Sequence, residues 1–550
     1  RRQRQMCIRD RKKIMNKFKK YTYLLGLACA VLTTACEDQS EEVTTLEHDH
    51  LFAPFGLEAK VNNTIDVRLS WTINSEASFY DIEIFANDSL TFQGTPVRTY
   101  TNLTAEDMPY DVTGLEGDTK YSARFMCKGD NIKDSKWNGI YFKTEPEKLL
   151  KEVDEDDLTA SSATLYFELN RTFTEVILTP EEGETVKQAI SSQDLQSGKV
   201  IVNGLSGNTT YTAKLLNGEK NCGVRTLTTL IDPATAIVVS PDGKSLQDAV
   251  TEANENKNLI LIQAGTYDIG EVEVNKEIQI IGERFKNKPV LVGKFNMIEG
   301  SGIVMRNIIM DGNGAAVKRM FSYEDGTTAK EFKIEASEIR GYKEGIFAIN
   351  NPSKPITVDA ITINNCLIYD IACDGGDFLD SRSGTIKKLT ITNNTFYNCS
   401  QVKAREFIRI DGTEDKKPWN PEVTEYSIKL ENNTIVGAVK TFKRLMYVRY
   451  PGAKVTMKSN LIMNFSGYLN DQKYIETENI TVSNNRYYKA EKAGIINYKI
   501  NDVATNVFTD PNCVKEKFVD PAFKDEANGD FTITNEDLII DKVGDPRWLK

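Results

Sequence analysis

The stretch LTITNNTFYNC, residues 389–399, has near copies on both sides of it. They read AITINNCLIYDI (360–371), IKLENNTIVGA (428–438), VTMKSNLIMNF (455–465) and ITVSNNRYYKA (480–490). Each begins with a short run of alternating apolar and polar residues, meets Asn at a corner, and resumes with a second short apolar run. Alternation with period two is the mark of a half-buried strand. The last Asn of each corner falls at 365, 394, 433, 460 and 485, giving periods of 29, 39, 27 and 25 residues. A unit of that size cannot bury a face alone, so repetition at this period predicts coils of strand stacked on one another. Identical Asn side chains in such a stack can hydrogen-bond along it. That makes the Asn series structural, and the 39-residue period marks an inserted loop.

Upstream of the repeats, IVVSPDGKSLQDAVTEANENKNLILIQAGTYDI (237–269) has an apolar strand, an Asp-Gly turn, an amphipathic stretch from Ser245 to Ala253, and a second apolar strand. Together with the repeats it resembles the start of a pectate-lyase-like right-handed β-helix, in which a short helix covers the first coil. A segment with the pattern DPxF…NGDF (518–541) resembles the closing element of such coils, and the chain then runs through GDPRW (544–548). The domain spans 233–550.

Between residue 51 and the coils the pattern changes to short alternating strands: VRLSW (67–71), FYDIEIF (79–85), TKYSARFMC (119–127) and IYFKT (140–144). With Trp71 at a core position and Leu115 six residues before Tyr121, residues 51–146 resemble a fibronectin type III domain. Residues 147–232 repeat the spacing from Leu205 to Tyr211 but lack the Trp; Tyr166 or Phe167 stands in for it. The fold class is therefore all-β: two sandwiches followed by a parallel β-helix. The default role of the sandwiches is to space and orient the coils.

Met15 to Cys36 carries three Lys, an apolar run too short to span a bilayer, and small residues before a Cys. It resembles a bacterial lipoprotein signal, which implies cleavage after residue 35, lipidation of Cys36 and an outer-membrane location. Leu32 lies one position further from Cys36 than the pattern asks. An acidic linker, 36–50, comes next; its start, CEDQSEE, resembles the export signal of surface lipoproteins. Residues 1–14 precede the expected start and are read as a non-native extension. The first 35 residues hold ten of the 68 basic and one of the 79 acidic residues, so the remainder has a net charge of about −20. That argues against nucleic acid as partner and leaves the lipid as the only membrane attachment. Six Cys lie beyond Cys36 with no CxxC spacing, which indicates neither a disulfide framework nor a zinc site. The two His, His48 and His50, are both in the linker, so no imidazole serves as a base in any folded domain.

Charge gathers on three neighbouring segments: GDFLDSR (376–382), KAREFIRID (403–411) and RLMYVRY (444–450). Stacked about 4.8 Å apart, they would bury Leu379, Ser381, Ile408, Ile410, Met446, Val448 and Tyr450. Three outward columns result: Phe378–Phe407–Leu445, Asp380–Arg409–Tyr447 and Arg382–Asp411–Arg449. The third alternates in sign, and a salt-bridge ladder alone would explain it. Aromatics beside Arg and Asp also suit a sugar. The loop 412–424, carrying Trp419, opens directly from Asp411. Residues 403–458 hold twelve Lys+Arg against seven Asp+Glu, which would favour an anionic polymer.

Two functions are open to such a chain. One is an acidic, uronate-containing polysaccharide cleaved by β-elimination, as the resemblance implies. Lys403, Arg405 or Arg409 would be the base; Phe378, Asp380, Arg382, Phe407, Asp411, Trp419, Tyr447 and Arg449 would hold the chain. Ca2+ would sit on Asp374, Asp377 and Asp380. Hydrolysis by the pair Asp380 and Asp411 is the variant of this reading. The other is a non-catalytic surface glycan-binding protein, or a scaffold, working beside other proteins of a glycan-uptake system. The chain resembles surface lipoproteins of bacterial glycan-utilisation loci, and that resemblance fits both.

Overall fold

The computed structural model describes residues 49–130, 132–350, 353–413, 415, 417–437, 442–450 and 452–549. The expected signal segment, Cys36 and His48 lie outside the described residues. Among the described residues, no helix is long and apolar enough to cross a membrane.

The first sandwich packs a three-stranded antiparallel sheet (Glu58–Asn62, Asp66–Ser70, Tyr110–Val112) on a four-stranded one (Arg98–Leu103, Phe79–Ala86, Lys120–Lys128, Asn138–Lys143). Trp71 lies between them, 5.2 Å from the Tyr80 ring and 5.5 Å from Phe125. The Tyr121 hydroxyl accepts the Glu116 N–H at 2.9 Å, closing the corner that the Leu115–Tyr121 spacing predicts. In the second sandwich Tyr211 does the same for the Ser206 N–H at 2.8 Å. Phe167, edge-on to Phe173, fills the place of the missing Trp, while Tyr166 stays half-buried.

The remaining chain winds as a right-handed parallel β-helix. One wall is a ten-stranded sheet from Ile237–Val239 to Ile480–Ser483. The other two walls begin as one sheet, because Val290–Met297 pairs with both Ile309–Asp311 and Arg319–Tyr323; they separate at a corner further along. The helix Leu246–Glu252 covers the first coil. It is capped by the Ser245 hydroxyl, which accepts the Asp248 N–H, and it buries Leu246, Ala249 and Val250. A continuous apolar core of Ile, Phe, Met and Val fills the coil interior.

The Asn corners resolve into two columns. Asn307, Asn365, Asn393, Asn432 and Asn484 have φ between 52° and 58°, the left-handed conformation that Asn tolerates best after Gly. The next residue in each corner points inward and stacks. Asn394 Nδ2 donates to Asn433 Oδ1 (3.1 Å), Asn433 Nδ2 to Asn460 Oδ1 (2.9 Å) and Asn460 Nδ2 to Asn485 Oδ1 (2.9 Å). Each Oδ1 also accepts the backbone N–H of the preceding rung, and the run ends on Asp510. The reading that Asn365 belongs to this series is corrected by one place. Cys366 holds the buried position, its N–H donating to Asn394 Oδ1 at 2.8 Å, and Asn365 is the left-handed corner residue.

The sandwiches are not outlying spacers. Glu155 of the second is buried and accepts the Phe285 and Lys286 N–H groups of an early coil. The first reaches the other end of the stack, where Lys60 pairs with Asp541 (3.1 Å), Arg68 with Glu536 (3.2 Å) and Lys542 with Glu145 (2.5 Å). The closing segment does more than end the coil, for it turns back along the outside. Gly544 N–H bonds Ser459 O, Asp545 N–H bonds Thr434 Oγ1, Trp548 Nε1 bonds Thr395 Oγ1 and Arg547 Nη2 bonds Asn365 Oδ1, each at 2.7–2.9 Å. Four successive coils are thereby strapped by four residues of the segment 544–548.

Candidate functional site: a guanidinium layer over buried carboxylates

Leu379–Ser381, Ile408–Ile410 and Met446–Val448 stack in parallel, with Asp380 beside Arg409 and Arg409 beside Tyr447. The expected register of Asp380, Arg409 and Tyr447 is present, but Asp380 does not face outward: it is fully buried. The apolar outward column is absent: Phe378, Phe407 and Leu445 are fully buried. Phe378 and Phe407 stack at 5.2 Å inside the core, with Phe442 against both. The strands here are only three residues long, and the chain bends at their start. Alternation holds along a straight strand; at a coil corner two consecutive side chains turn inward. Phe378 and Phe407 therefore cannot touch a ligand.

The bend has a second effect. Asp377, Glu406 and Arg444 share the parity of the core residues, yet they form a charged column beside the strand starts. Asp377 Oδ1 accepts the Glu406 N–H at 3.2 Å, and Arg444 contacts both Glu406 and Asp471. Asp377 Oδ2 receives Arg382 (3.2 Å) and Arg409 (3.1 Å). Arg382 also holds Asp380 at 3.0 Å, and Asp411 takes Arg409 at 2.9 Å and Arg449 at 3.4 Å. The Tyr447 ring lies under three guanidinium carbons, those of Arg444 (4.8 Å), Arg409 (4.9 Å) and Arg449 (5.9 Å). Trp419 lies along the strand ends, its indole N–H shared by Arg382 O (3.0 Å) and Asp411 O (3.2 Å). The loop is thus pinned to the edge of this face.

The vertical order of charge is the informative feature. The side chains of Asp380, Asp377, Glu406 and Asp411 are 0, 3, 6 and 8% exposed, whereas those of Arg382, Arg409 and Arg449 are 35, 24 and 23% exposed. Carboxylates lie below and guanidiniums above. Solvent meets cations and the Tyr447 ring.

This geometry corrects the base assigned to Arg409. Burial works against its charge, but Asp411 and Asp377 outweigh burial and hold its pKa above the ordinary value, so it keeps its proton. Its remaining role is to neutralise anions. Lys403 is exposed and paired with Asp374 at 3.2 Å, and the buried Arg405 Nε has no hydrogen-bond partner. Asp374, Asp377 and Asp380 do not form one oxygen cage, because Lys403 takes the first and Arg382 and Arg409 take the others. Among the described residues no group of three or more acidic, His or Cys side chains is arranged to hold a metal ion. Asp380 and Asp411, the pair expected for hydrolysis, are both buried and each is held by arginine, Asp380 by Arg382 and Asp411 by Arg409 and Arg449.

Glu406 was not among the expected site residues. Burial lifts its pKa to about 7, Arg444 and Lys443 pull against it, and Asp377 and Asp471 add to the rise. One oxygen, Oε2, is buried with no partner. The signal for it was present in KAREFIRID, where a Glu stands at the parity of Ile408 and Ile410. A folded pKa above the unfolded one means that the native state holds the proton more tightly. The stability contributed by Glu406 is thus complete below about pH 4.5 and is lost as pH rises through about 7. Glu406→Gln is expected to remove that slope, flattening the unfolding free energy between those limits by about 1–3 kcal/mol relative to the parent. Urea unfolding at pH 4.5, 6 and 8 measures it, and identical slopes in the two proteins would refute it.

Comparison with known proteins places two families on the β-helix. A domain of unknown function (DUF4957) matches residues 265–399, and a second (DUF5123) matches 428–548. The strand Ile408–Ile410 and the Trp419 loop lie between the two matches. No curated protein matches the chain. A two-domain fibronectin type III segment of chicken tenascin is 15% identical, covering 32% of this chain and 99% of its own, with a TM-score of 0.23. The central fibronectin type III array of RIM-binding protein is 15% identical, covering 34% and 63%, with a TM-score of 0.14. The sandwich assignment rests on the strand order and tyrosine corners described above.

Proposed function

We propose that the protein is a lipid-anchored, surface-exposed glycan-binding protein that holds an acidic polysaccharide against the guanidinium layer of its C-terminal coils. Sandwiches beside a parallel β-helix suit a carbohydrate-related or scaffold role. The observation that carries the finer reading is the order of charge, with Arg382, Arg409 and Arg449 above the carboxylates they neutralise. A uronate chain crossing this face would find guanidinium charge for its carboxylates, as charge-assisted hydrogen-bond donors, and the exposed part of Tyr447 for a sugar ring. The Met15–Cys36 segment supports the anchor.

A second reading, cleavage by β-elimination, draws on Glu406, a carboxyl group near neutrality under a cationic cover. One experiment separates the two. The protein is run in native gels containing polygalacturonate, alginate or a glycosaminoglycan, with and without Ca2+, while ultraviolet absorbance of unsaturated product is monitored in solution. Retardation without absorbance is the expected result, and Arg449→Ala should weaken retention about tenfold, equivalent to ~1.4 kcal/mol. Growing absorbance would establish the lyase. No retardation by any of the three would remove the acidic-polysaccharide reading.

A further inference from the structure

A cleft of about 560 Å3, sharing no lining residue with the guanidinium layer, lies between the second sandwich and the early coils. The sandwich wall includes the segment 226–231 with Thr226, Thr228 and Thr229, of which Thr229 is buried with its hydroxyl donated to Ser206 O; the opposite wall is formed by coil corners, including Asn307 and Asn365. Its distinctive member is Arg306, the last residue of Gly302–Arg306. The guanidinium donates one hydrogen bond, from Nη2 to Asn208 Oδ1 across the domain boundary, and its buried Nε has no partner. Among the described residues no carboxylate lies within 4 Å of it. The nearest acid in the stack, Glu335, is its register partner on the next coil, and Lys333 takes that carboxylate at 2.9 Å. Burial draws the pKa of Arg306 below the ordinary guanidinium value.

Arg340, Arg382, Arg409, Arg444 and Arg449 of the coil each contact at least one carboxylate. Arg405 shares with Arg306 a buried Nε without a partner and, among the described residues, no carboxylate contact, but of the two only Arg306 lines this cleft. Glu335 pulls the pKa of Arg306 the other way without contact, and a partly desolvated cation with no carboxylate in contact is costly to keep. Lys288 and Arg547 line the same cleft, the first paired with Glu338, also in the lining, and the second paired with Asp545 and bonded to Asn365. The walls offer hydroxyls and amides beside the Phe285 ring and aliphatic side chains such as Leu230 and Leu367.

We propose that this cleft binds a small polyhydroxylated carboxylate of the uronic acid type, with its carboxylate on Arg306 and its hydroxyls toward the Thr and Asn walls. The site is independent of the guanidinium layer, so either assignment stands or falls alone. Calorimetry on the full chain uses galacturonate, galactose as the neutral counterpart and acetate as the bare carboxylate. Galacturonate should bind at least tenfold more tightly than either control. Arg306→Met should weaken it at least tenfold while leaving Tm unchanged or higher, since the substitution removes an uncompensated cation. Glu283→Gln, which takes a negative charge from the lining, should tighten galacturonate several-fold and leave galactose unchanged. Equal affinity for galacturonate and galactose, undiminished binding by Arg306→Met, a fall in Tm for that variant, or indifference of Glu283→Gln would each overturn the proposal.

Discussion

Asn433→Ala is expected to cost the β-helix about 3–5 kcal/mol, an effect that Asn460→Ala, which removes the same kinds of bond, should share. Asn433 Oδ1 accepts both the backbone N–H and the side-chain amide of Asn394, and its own amide donates to Ile391 O and Asn460 Oδ1. Alanine leaves two donors of Asn394 facing a core that excludes water, and each buried unsatisfied group costs about 1–3 kcal/mol. Asn433→Asp should fare no better, because a carboxylate cannot donate to the two oxygens. The adjacent Asn432 supplies the control. It occupies the left-handed corner, where Gly is at ease, so Asn432→Gly should cost under ~1 kcal/mol. Urea denaturation of the three variants, monitored by circular dichroism, decides it. Equal losses at 432 and 433 would show that the ladder is not what holds the corners.

Arg409→Ala should be nearly as damaging, for an electrostatic reason. The side chain neutralises Asp411 through Nε and Nη2 and Asp377 through Nη1, and both carboxylates are buried. Removing one member of a buried ion cluster costs about 3–5 kcal/mol, since the charges left behind stay out of water. Arg409→Met, which keeps apolar packing on Tyr447 but not the charge, should be as damaging as Arg409→Ala. Thermal unfolding of the parent and both variants reads this directly. A methionine variant as stable as the parent would mean that packing on Tyr447, not charge, is what Arg409 supplies. This fragility also makes Arg449 the better residue for testing ligand binding.

Much of this architecture was legible in the sequence, because it depends on local chemistry. The Asn-bearing corners, the capping Ser245 and the Leu115–Tyr121 spacing each encode a hydrogen bond made within a few residues or one coil. The register Asp380–Arg409–Tyr447 came from the same periodicity. What misled was the assumption that alternation continues past a strand end. It turned Phe378 and Phe407 outward, passed over Glu406 and placed the buried Asn position at 365 in place of 366. The docking of the sandwiches was not legible. Arg68 and Lys60 are polar residues on the outer face of a sheet, indistinguishable by pattern from solvated charge, and their partners Glu536 and Asp541 are more than 460 positions away. Arg306 was equally silent, for its significance is the lack of a nearby acid in space.

The two-ended attachment of the sandwiches makes the molecule a ruler. Repeat arrays ordinarily gain or lose units with little penalty, since each unit touches only its neighbours. Here the second sandwich grips the stack near Phe285 and the first grips it near Asp541. Duplicating one coil would lengthen the intervening stack by about 4.8 Å and carry one grip out of reach. Evolution can vary the loops of this protein freely, but its number of turns is set by the distance between two neighbours that are not themselves part of the repeat.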